Sequence, residues 1–231
     1  MVNLEDNPDA SLVLLGDYVD RGPNSAGVLY ELRELQRTHG ERVVVLQGNH
    51  DVWLTDWLWS SDDDDPNWLR ADVGLVTTRS FVPQSVLDPL PWDGSEAAVN
   101  RLVKHAVLSE HHDVLAWLRR QPLVHETDAQ IFVHAGVDEL AGAFWRAATP
   151  DFWFTDKYPA STGPFLKTIV AGHVRASSLH QDGRNEVFHD GASHFYIDAG
   201  VEVTGQLNVL RYDCGSGAYS WQMTPPRQSA Q

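Results

Sequence analysis

Two apolar runs of strand length lie near the start of the chain, and each is followed by glycine and polar residues. The first run is LVLL at 12–15, and the second is VVVL at 43–46. Between them, apolar residues recur at helical spacing and a glycine follows: Leu29, Leu32, Leu35 and Gly40. This pattern predicts a strand, helix, strand unit with two buried parallel strands.

The rest of the chain alternates helical and strand-like patterns. Residues 52–125 predict a helical insertion, with a short amphipathic helix after 52 and a mostly helical stretch at 96–120. Further strands are predicted at 131–133 and 168–171. Three later β-rich segments, HFYIDAG, QLNVLRYD and AYSW, predict a closing antiparallel meander.

The length and composition indicate one folded domain. The chain has 231 residues, of which 42% are hydrophobic and 21% charged, enough for a sizeable core. We therefore predict a single domain at 1–223 and a disordered tail at 224–231. The acidic run Asp62–Asp65 lacks the ligand spacing of a calcium loop, so a solvated loop tip is predicted there.

The charge balance and cysteine content exclude several classes of function. A formal net charge of −15 argues against a nucleic-acid backbone as the general partner. Cys214 is the only cysteine, so neither an internal disulfide framework nor a thiolate metal cluster is possible. The sequence holds no apolar run long enough to span a membrane, and we expect a cytoplasmic protein with no membrane partner.

Polar side chains follow both of the first two strands. Asp17, Asp20 and Arg21 follow the first strand, and Asn49 and His50 follow the second. Because the carboxyl ends of parallel strands lie at one edge of a sheet, these side chains are expected to converge. A carboxylate, an amide oxygen and an imidazole suit a divalent metal, and a guanidinium suits phosphate. The sequence therefore predicts a site that handles phosphate.

Four motifs, each after a predicted strand, resemble those of the calcineurin-like metallophosphoesterases: GDYVDRG, GNHD, FVHAG and AGH. The resemblance is strongest to the branch that includes serine/threonine protein phosphatases and bacterial diadenosine tetraphosphatases. Asp51 stands where the protein phosphatases carry glutamate. The resemblance implies an α/β fold, a four-layer αββα sandwich of two mixed sheets with helices outside.

The resemblance also implies roles for individual residues. It implies one complete metal position, formed by Asp17, Asn49, His134 and His173. His50 resembles the family's general acid, Asp20 the carboxylate that orients it, and Arg21 a phosphate clamp. Manganese is the expected metal, with iron, zinc and magnesium as alternatives.

The family's first motif, Asp-x-His, has no counterpart in this sequence. The family holds two ions, but the second position would keep only Asp17, and Arg175 occupies the place of a histidine that could have helped. We therefore expect the fold to lack its first strand and helix. Three interpretations follow, in order: a truncated enzyme, a weak one-metal enzyme, and a catalytically impaired module that binds phosphate or protein.

The reaction implied by the resemblance is hydrolysis of a phosphomonoester. Metal-bound hydroxide would attack phosphorus, while His50 protonates the leaving group. The leading substrate is phosphoserine or phosphothreonine in a protein. The alternative is symmetric hydrolysis of a dinucleoside tetraphosphate or another small phosphoester. The oligomeric state stays open, and His189, Asp190 and His194 are further candidates for the rim of the site.

Overall fold

The computed structural model describes residues 4–61, 67–90, 92 and 95–224, and its chain divides into two compact units. Unit 1 is Met1–Pro122 and unit 2 is Leu123–Gln231. The loop predicted at Asp62–Asp65, and all of the predicted tail after Thr224, lie outside the described residues.

The strand, helix, strand unit predicted at the start of unit 1 is confirmed. Its elements are β1 (Leu12–Leu14), α1 (Ser25–His39) and β2 (Val43–Val45). The two strands are parallel, with Leu12 opposite Val43 and Leu14 opposite Val45. Asn24 caps α1 by accepting the Gly27 N–H at 3.1 Å, and Gly40 ends the helix with a φ of 60°.

The rest of unit 1 is helical. Its helices are α2 (Asn49–Trp59), α3 (Asn67–Ala71), α4 (Val76–Phe81), α5 (Gln84–Leu87) and α6 (Glu96–Arg119). Short 3₁₀ turns cover Gly40–Arg42 and Val73–Leu75. Helix α2 starts at Asn49, earlier than the pattern predicts, so the predicted polar turn is the helix's first turn. Helix α6 buries Val103, Leu115 and Leu118 completely.

The segment before β1 packs against the rest of unit 1. The Arg42 guanidinium donates from Nη1 to the carbonyl oxygens of Leu4 (3.1 Å), Asn7 (3.2 Å) and Pro8 (3.3 Å). The Leu4 side chain is buried in a cluster with Leu32, Val43 and Val45. Apolar burial and one guanidinium thus fix a segment that has no regular structure of its own.

Unit 2 is built on a five-stranded mixed sheet with the order β3-β4-β5-β7-β6. Its strands are β3 (Val124–Glu126), β4 (Gln130–Val133), β5 (Thr168–Arg175), β6 (Phe188–His189) and β7 (His194–Asp198). Strands β4, β5 and β7 are parallel, and the two edge strands are antiparallel to their neighbours. The central strands are mostly apolar, and residues of both faces are buried in β5 (Ile169 and Val170) and in β7 (Phe195 and Tyr196).

The other elements of unit 2 are short. They are α7 (Trp145–Ala148), α8 (Asp151–Asp156), α9 (Ala176–Leu179), α10 (Val201–Thr204), β8 (Asn208–Asp213), β9 (Ala218–Met223) and a 3₁₀ segment at Glu139–Phe144. Strands β8 and β9 form an antiparallel hairpin. The predicted meander is therefore wrong in its first strand, since β7 belongs to the mixed sheet.

The α/β class is confirmed, and the mixed sheet agrees with the type of sheet expected. The four-layer stacking stays a prediction. None of the described helices has the length and apolarity that crossing a membrane requires.

Candidate active site

The ends of β1 and β2 approach each other closely in unit 1. Gly16 follows β1 with a φ of 108°, and a Cβ added there would lie 2.3 Å from the Gly48 nitrogen. Only glycine fits this conformation and this contact. The close approach brings the polar residues after β1 next to those that open α2.

Asp51 joins the two strand ends through backbone hydrogen bonds. Its carboxylate accepts N–H groups from Asp17 (2.7 Å), Gly48 (2.8 Å) and Tyr18 (3.0 Å), and it is fully buried. Burial and the neighbouring Asp17 carboxylate raise the pKa of Asp51 to about 7, and the three N–H donors oppose that rise. Asp51 therefore has a structural role, joining the two strand ends, which the GNHD motif alone does not indicate.

Asp17 and Asn49 lie on either side of this junction. The Asp17 carboxylate accepts the backbone N–H of His50 at 3.2 Å, so it sits at the N-terminal end of α2. Asn49 is the first residue of that helix and is buried. A helix N-terminus favours negative charge, which suits a carboxylate and a bound phosphate.

His50 is held between a carboxylate and a guanidinium. Its Nδ1 lies 2.6 Å from Asp20 Oδ2, and Arg21 Nη2 donates to its Nε2 at 2.8 Å. Because a guanidinium can only donate, Nε2 accepts and the ring carries its proton on Nδ1. The predicted acid, its orienting carboxylate and the predicted clamp are therefore in direct contact.

Two further side chains of unit 1 lie against this group, and neither is among the residues predicted to carry the chemistry. Thr77 in α4 donates its hydroxyl to Asp20 Oδ1 at 2.6 Å. Trp53 is 46% exposed, and its ring centre lies 5.0 Å from that of His50. Trp57, by contrast, is a core residue. Trp53 therefore forms a wall beside the predicted acid.

The two predicted histidine ligands come together in unit 2. His134 follows β4 and is buried, and its ring centre lies 5.3 Å from that of His173. The His134 carbonyl accepts the Gly172 N–H at 2.8 Å, which aligns the ends of β4 and β5. His173 lies inside β5 rather than after it, at a register shift between Ala171 and Arg175. Asp156 Oδ1, another residue that the pattern missed, is 3.5 Å from His173 Nε2.

Backbone strain concentrates at the predicted site residues. Left-handed φ angles occur at Asp17 (60°), Asp20 (70°), Arg21 (61°) and His173 (60°). Non-glycine residues rarely adopt this region, and such strain persists only where the surroundings fix it. These angles therefore support a functional role for the four residues, beyond a purely structural one.

The predicted residues thus form two groups. Asp17, Asp20, Arg21, Asn49 and His50 meet in unit 1, while His134 and His173 meet in unit 2. In the described part of the chain, no three His, Cys, Asp or Glu side chains are arranged to hold a metal. The donors that the two groups offer, a carboxylate, an amide oxygen and two imidazoles, are nevertheless those that manganese, iron or zinc accept.

The remaining candidates for the rim lie elsewhere. His194 opens β7 opposite Ile169, near the start of β5, whereas His173 lies near the end of β5. His189 pairs with Phe195 next to it. His194 Nδ1 is 3.1 Å from Asp190 Oδ2, and its Nε2 is 3.5 Å from Glu139 Oε1. The prediction that these residues reach the rim is wrong: His194 and Asp190 form a largely buried polar cluster with Glu139, and His189 is exposed.

Several curated proteins are similar in sequence to this chain. A bis(5'-nucleosyl)-tetraphosphatase, symmetrical, of Janthinobacterium sp. (strain Marseille) is 31% identical over 130 residues, which is 56% of this chain and 34% of the relative. One of the same name from Methylococcus capsulatus is 24% identical over 222 residues, 95% of this chain and 62% of the relative. The chain spans about a third of the length of the first curated relatives that it matches.

A solved structure shows the same fold. It is a protein serine/threonine phosphatase from Saccharomyces cerevisiae with similarity to human phosphatase PP5, with a TM-score of 0.53 and 14% identity, covering 97% of this chain and 73% of that one. The sequence profile described as calcineurin-like phosphoesterase matches residues 2–192. The chain belongs to the calcineurin-like phosphoesterase family.

Proposed function

We propose that this chain is a metal-dependent hydrolase of phosphoric esters and anhydrides, and that its substrate is a dinucleoside tetraphosphate. The observation that carries the reaction class is the contact of His50 with both Asp20 and Arg21, beside Asp17 and Asn49. Phosphoryl transfer to water requires an imidazole, a guanidinium and metal-ligand oxygens close together, and the ends of these two strands carry all three.

The choice of substrate rests on the relatives. Both relatives described above are named symmetrical bis(5'-nucleosyl)-tetraphosphatases. The phosphoprotein substrate favoured by the motif pattern has less support, since the solved protein phosphatase is 14% identical and shares the fold alone. Symmetric cleavage of diadenosine tetraphosphate would release two molecules of ADP.

The residues that would hold the metal are those that the family resemblance implies: Asp17, Asn49, His134 and His173. A divalent ion there supplies charge neutralisation for the phosphate and acidification of a water. Which ion is native stays open among manganese, iron, zinc and magnesium, and manganese is the first to test.

The chain's own residues position the substrate and move the proton. Arg21 grips phosphate oxygens with its planar guanidinium. Arg21 contacts His50 Nε2 in the structure, and that nitrogen becomes free when Arg21 moves to the phosphate. Nε2 then takes up a proton from water and donates it to the departing oxygen, while Asp20 holds Nδ1–H.

One comparison of substrates tests the proposal. The protein is loaded with manganese and incubated with diadenosine tetraphosphate and, separately, with a phosphoserine peptide. Release of ADP alone from the first, at a kcat/KM well above that for the peptide, is the expected result. Preferred release of inorganic phosphate from the peptide would instead support a phosphoprotein substrate. Release of ATP and AMP from diadenosine tetraphosphate would overturn symmetric cleavage.

Metal content, measured by elemental analysis after dialysis, separates an enzyme from a binding module. At least one ion per chain is expected, and Asn49→Ala and His134→Ala should each lose it. Loss in only one of these variants would contradict a single metal position that uses both residues. A metal-loaded protein without hydrolysis would indicate a phosphate-binding module.

A further inference from the structure

We propose that Thr77, in the helical region of unit 1, is a positioning residue for the general acid. The catalytic part of this inference rests on the proposed function. Thr77 holds the Asp20 carboxylate in the one orientation that presents its other oxygen to His50. It lies 57 positions from Asp20 along the chain, outside the four motifs quoted above.

The contact between Thr77 and Asp20 is reciprocal. The Thr77 hydroxyl donates to Asp20 Oδ1 at 2.6 Å, and the Asp20 backbone N–H donates to Thr77 Oγ1 at 3.0 Å. Oδ2 of the same carboxylate is then 2.6 Å from His50 Nδ1. Each oxygen of Asp20 therefore has its own partner, which stops the carboxylate from rotating about its Cβ–Cγ bond.

Thr77 is itself fixed by its surroundings. It is fully buried, and its backbone N–H donates to Asp72 Oδ1 at 3.0 Å. The Ser80 hydroxyl donates to the Thr77 carbonyl at 2.7 Å and accepts the Ala26 N–H at 3.1 Å, which ties α4 to α1. The hydroxyl thus reaches Asp20 from a rigid element, as precise positioning requires.

Asp20 needs such support because its backbone is strained. Its φ is 70°, and Arg21 next to it has a φ of 61°. A residue in the left-handed region is stable only when its contacts outweigh the strain. The Asp20 contacts described here are the one to His50 in α2 and the paired bonds to Thr77 in α4. Proton transfer is sensitive to small displacements of the donor, so losing this support should reduce catalysis.

Thr77→Val tests the idea because valine keeps the shape and removes the hydroxyl. Thr78→Val is the matched control. Thr78 is also buried in α4, and its hydroxyl donates to Asp72 Oδ2 at 2.6 Å. Both variants lose one hydroxyl–carboxylate bond. Thr77→Val also removes the acceptor of the Asp20 N–H, so it loses both bonds to Asp20, whereas Thr78→Val loses none. Thr77→Ser should restore wild-type behaviour.

The first readout needs neither metal nor activity. In the metal-free protein, the His50 Nδ1–H, hydrogen-bonded to a carboxylate, should give a downfield proton NMR resonance that is absent in His50→Asn. Thr77→Val should shift or broaden that resonance, and Thr78→Val should leave it in place. An unchanged resonance in Thr77→Val, or the same change in Thr78→Val, would overturn the proposal.

The second readout is the dependence of the manganese-loaded enzyme on the leaving group. General acids contribute about 10²- to 10⁴-fold, and most where the departing oxygen is basic. Thr77→Val should lower kcat for phenyl phosphate about 10-fold and change that for p-nitrophenyl phosphate little, with KM unchanged. In a His50→Asn background, it should lower kcat no further.

Equal losses for both esters, or a further loss in that background, would show a merely structural Thr77 and overturn the proposal. If the wild-type protein hydrolyses neither ester nor diadenosine tetraphosphate, the proposed function fails, and the NMR readout still decides whether Thr77 positions His50. Should Thr77→Val not fold, Thr77→Ala carries the same readouts.

Discussion

The Asp51 carboxylate accepts the backbone N–H of Asp17 at 2.7 Å, across the gap between the ends of β1 and β2. The same oxygen accepts the Gly48 N–H, and the other oxygen accepts that of Tyr18. One buried side chain thus satisfies donors from both strand ends. It holds the first predicted metal ligand, Asp17, against the helix that starts with the second, Asn49.

Asp51→Asn should therefore destabilise the protein by about 2 kcal/mol, because a buried N–H without an acceptor costs about 1–3 kcal/mol. The amide keeps one acceptor oxygen and turns an NH₂ group toward a backbone donor. The measurement is urea unfolding at pH 8. Asp213→Asn is the control, since that exposed carboxylate also accepts a backbone N–H, from Ser216 at 2.7 Å. Equal losses in the two variants would count against this account.

Gly16→Ala should perturb the site more than Gly40→Ala, which serves as its control. A Cβ at residue 16 would overlap the Gly48 nitrogen, whereas one at Gly40 meets nothing within 4 Å. Both glycines have a positive φ, so Gly40→Ala carries the backbone strain alone, about 1–2 kcal/mol. Gly16→Ala should cost more and should also lower manganese affinity in equilibrium dialysis. Unchanged affinity in Gly16→Ala would show that the close approach is not needed.

The local elements of this fold and the parallel pairing of β1 with β2 were predictable, and the strand order of unit 2 was not. Helix α1 and both of its flanking strands follow from apolar spacing and glycine stops, which are properties of neighbouring residues. The parallel pairing of β7 with β5, which the meander prediction missed, depends on a crossover between distant segments. Short helices such as α4 lack the length for a readable period and are held by tertiary contacts.

The same distinction holds within the site. Asp17, Asn49, His50 and Asp20 lie in motifs at strand ends, so their meeting could be predicted. Thr77 reaches Asp20 from a helix without any motif, and its part depends on packing that no local pattern encodes. The left-handed backbone at His173 likewise arises from a register shift in β5 that the sequence does not show.

The buried cluster of unit 2 should make stability depend on acid pH. Burial would raise the pKa of Glu139, but the neighbouring His194 and Lys157 outweigh it and lower that pKa from 4.5 to about 2. A carboxyl group with a depressed folded-state pKa stabilises the fold above its unfolded pKa, and this contribution is lost as the pH falls toward 2. With partial exposure to solvent taken into account, it is about 2 kcal/mol.

Thermal unfolding of Glu139→Gln and wild type between pH 7 and pH 2 measures this contribution. The variant should melt lower at pH 7, and the difference should shrink between pH 4.5 and pH 2. Glu34→Gln is the control, because the Glu34–Arg37 pair is exposed and such pairs add little. A difference that stays constant across this pH range would contradict the assignment.

Arg21→Lys should impair phosphate binding while leaving the protein folded. Lysine keeps the positive charge but cannot grip two phosphate oxygens with a planar fork, and it cannot keep the same contact with His50 Nε2. We expect kcat/KM for diadenosine tetraphosphate to fall about 10- to 100-fold, mostly through KM, since a charge-assisted hydrogen bond contributes about 1.5–3 kcal/mol. Arg37→Lys, in an exposed pair on α1, is the matched control and should behave as wild type. If Arg21→Lys lowered kcat alone, with KM unchanged, Arg21 would act through His50 and not as a clamp on the phosphate.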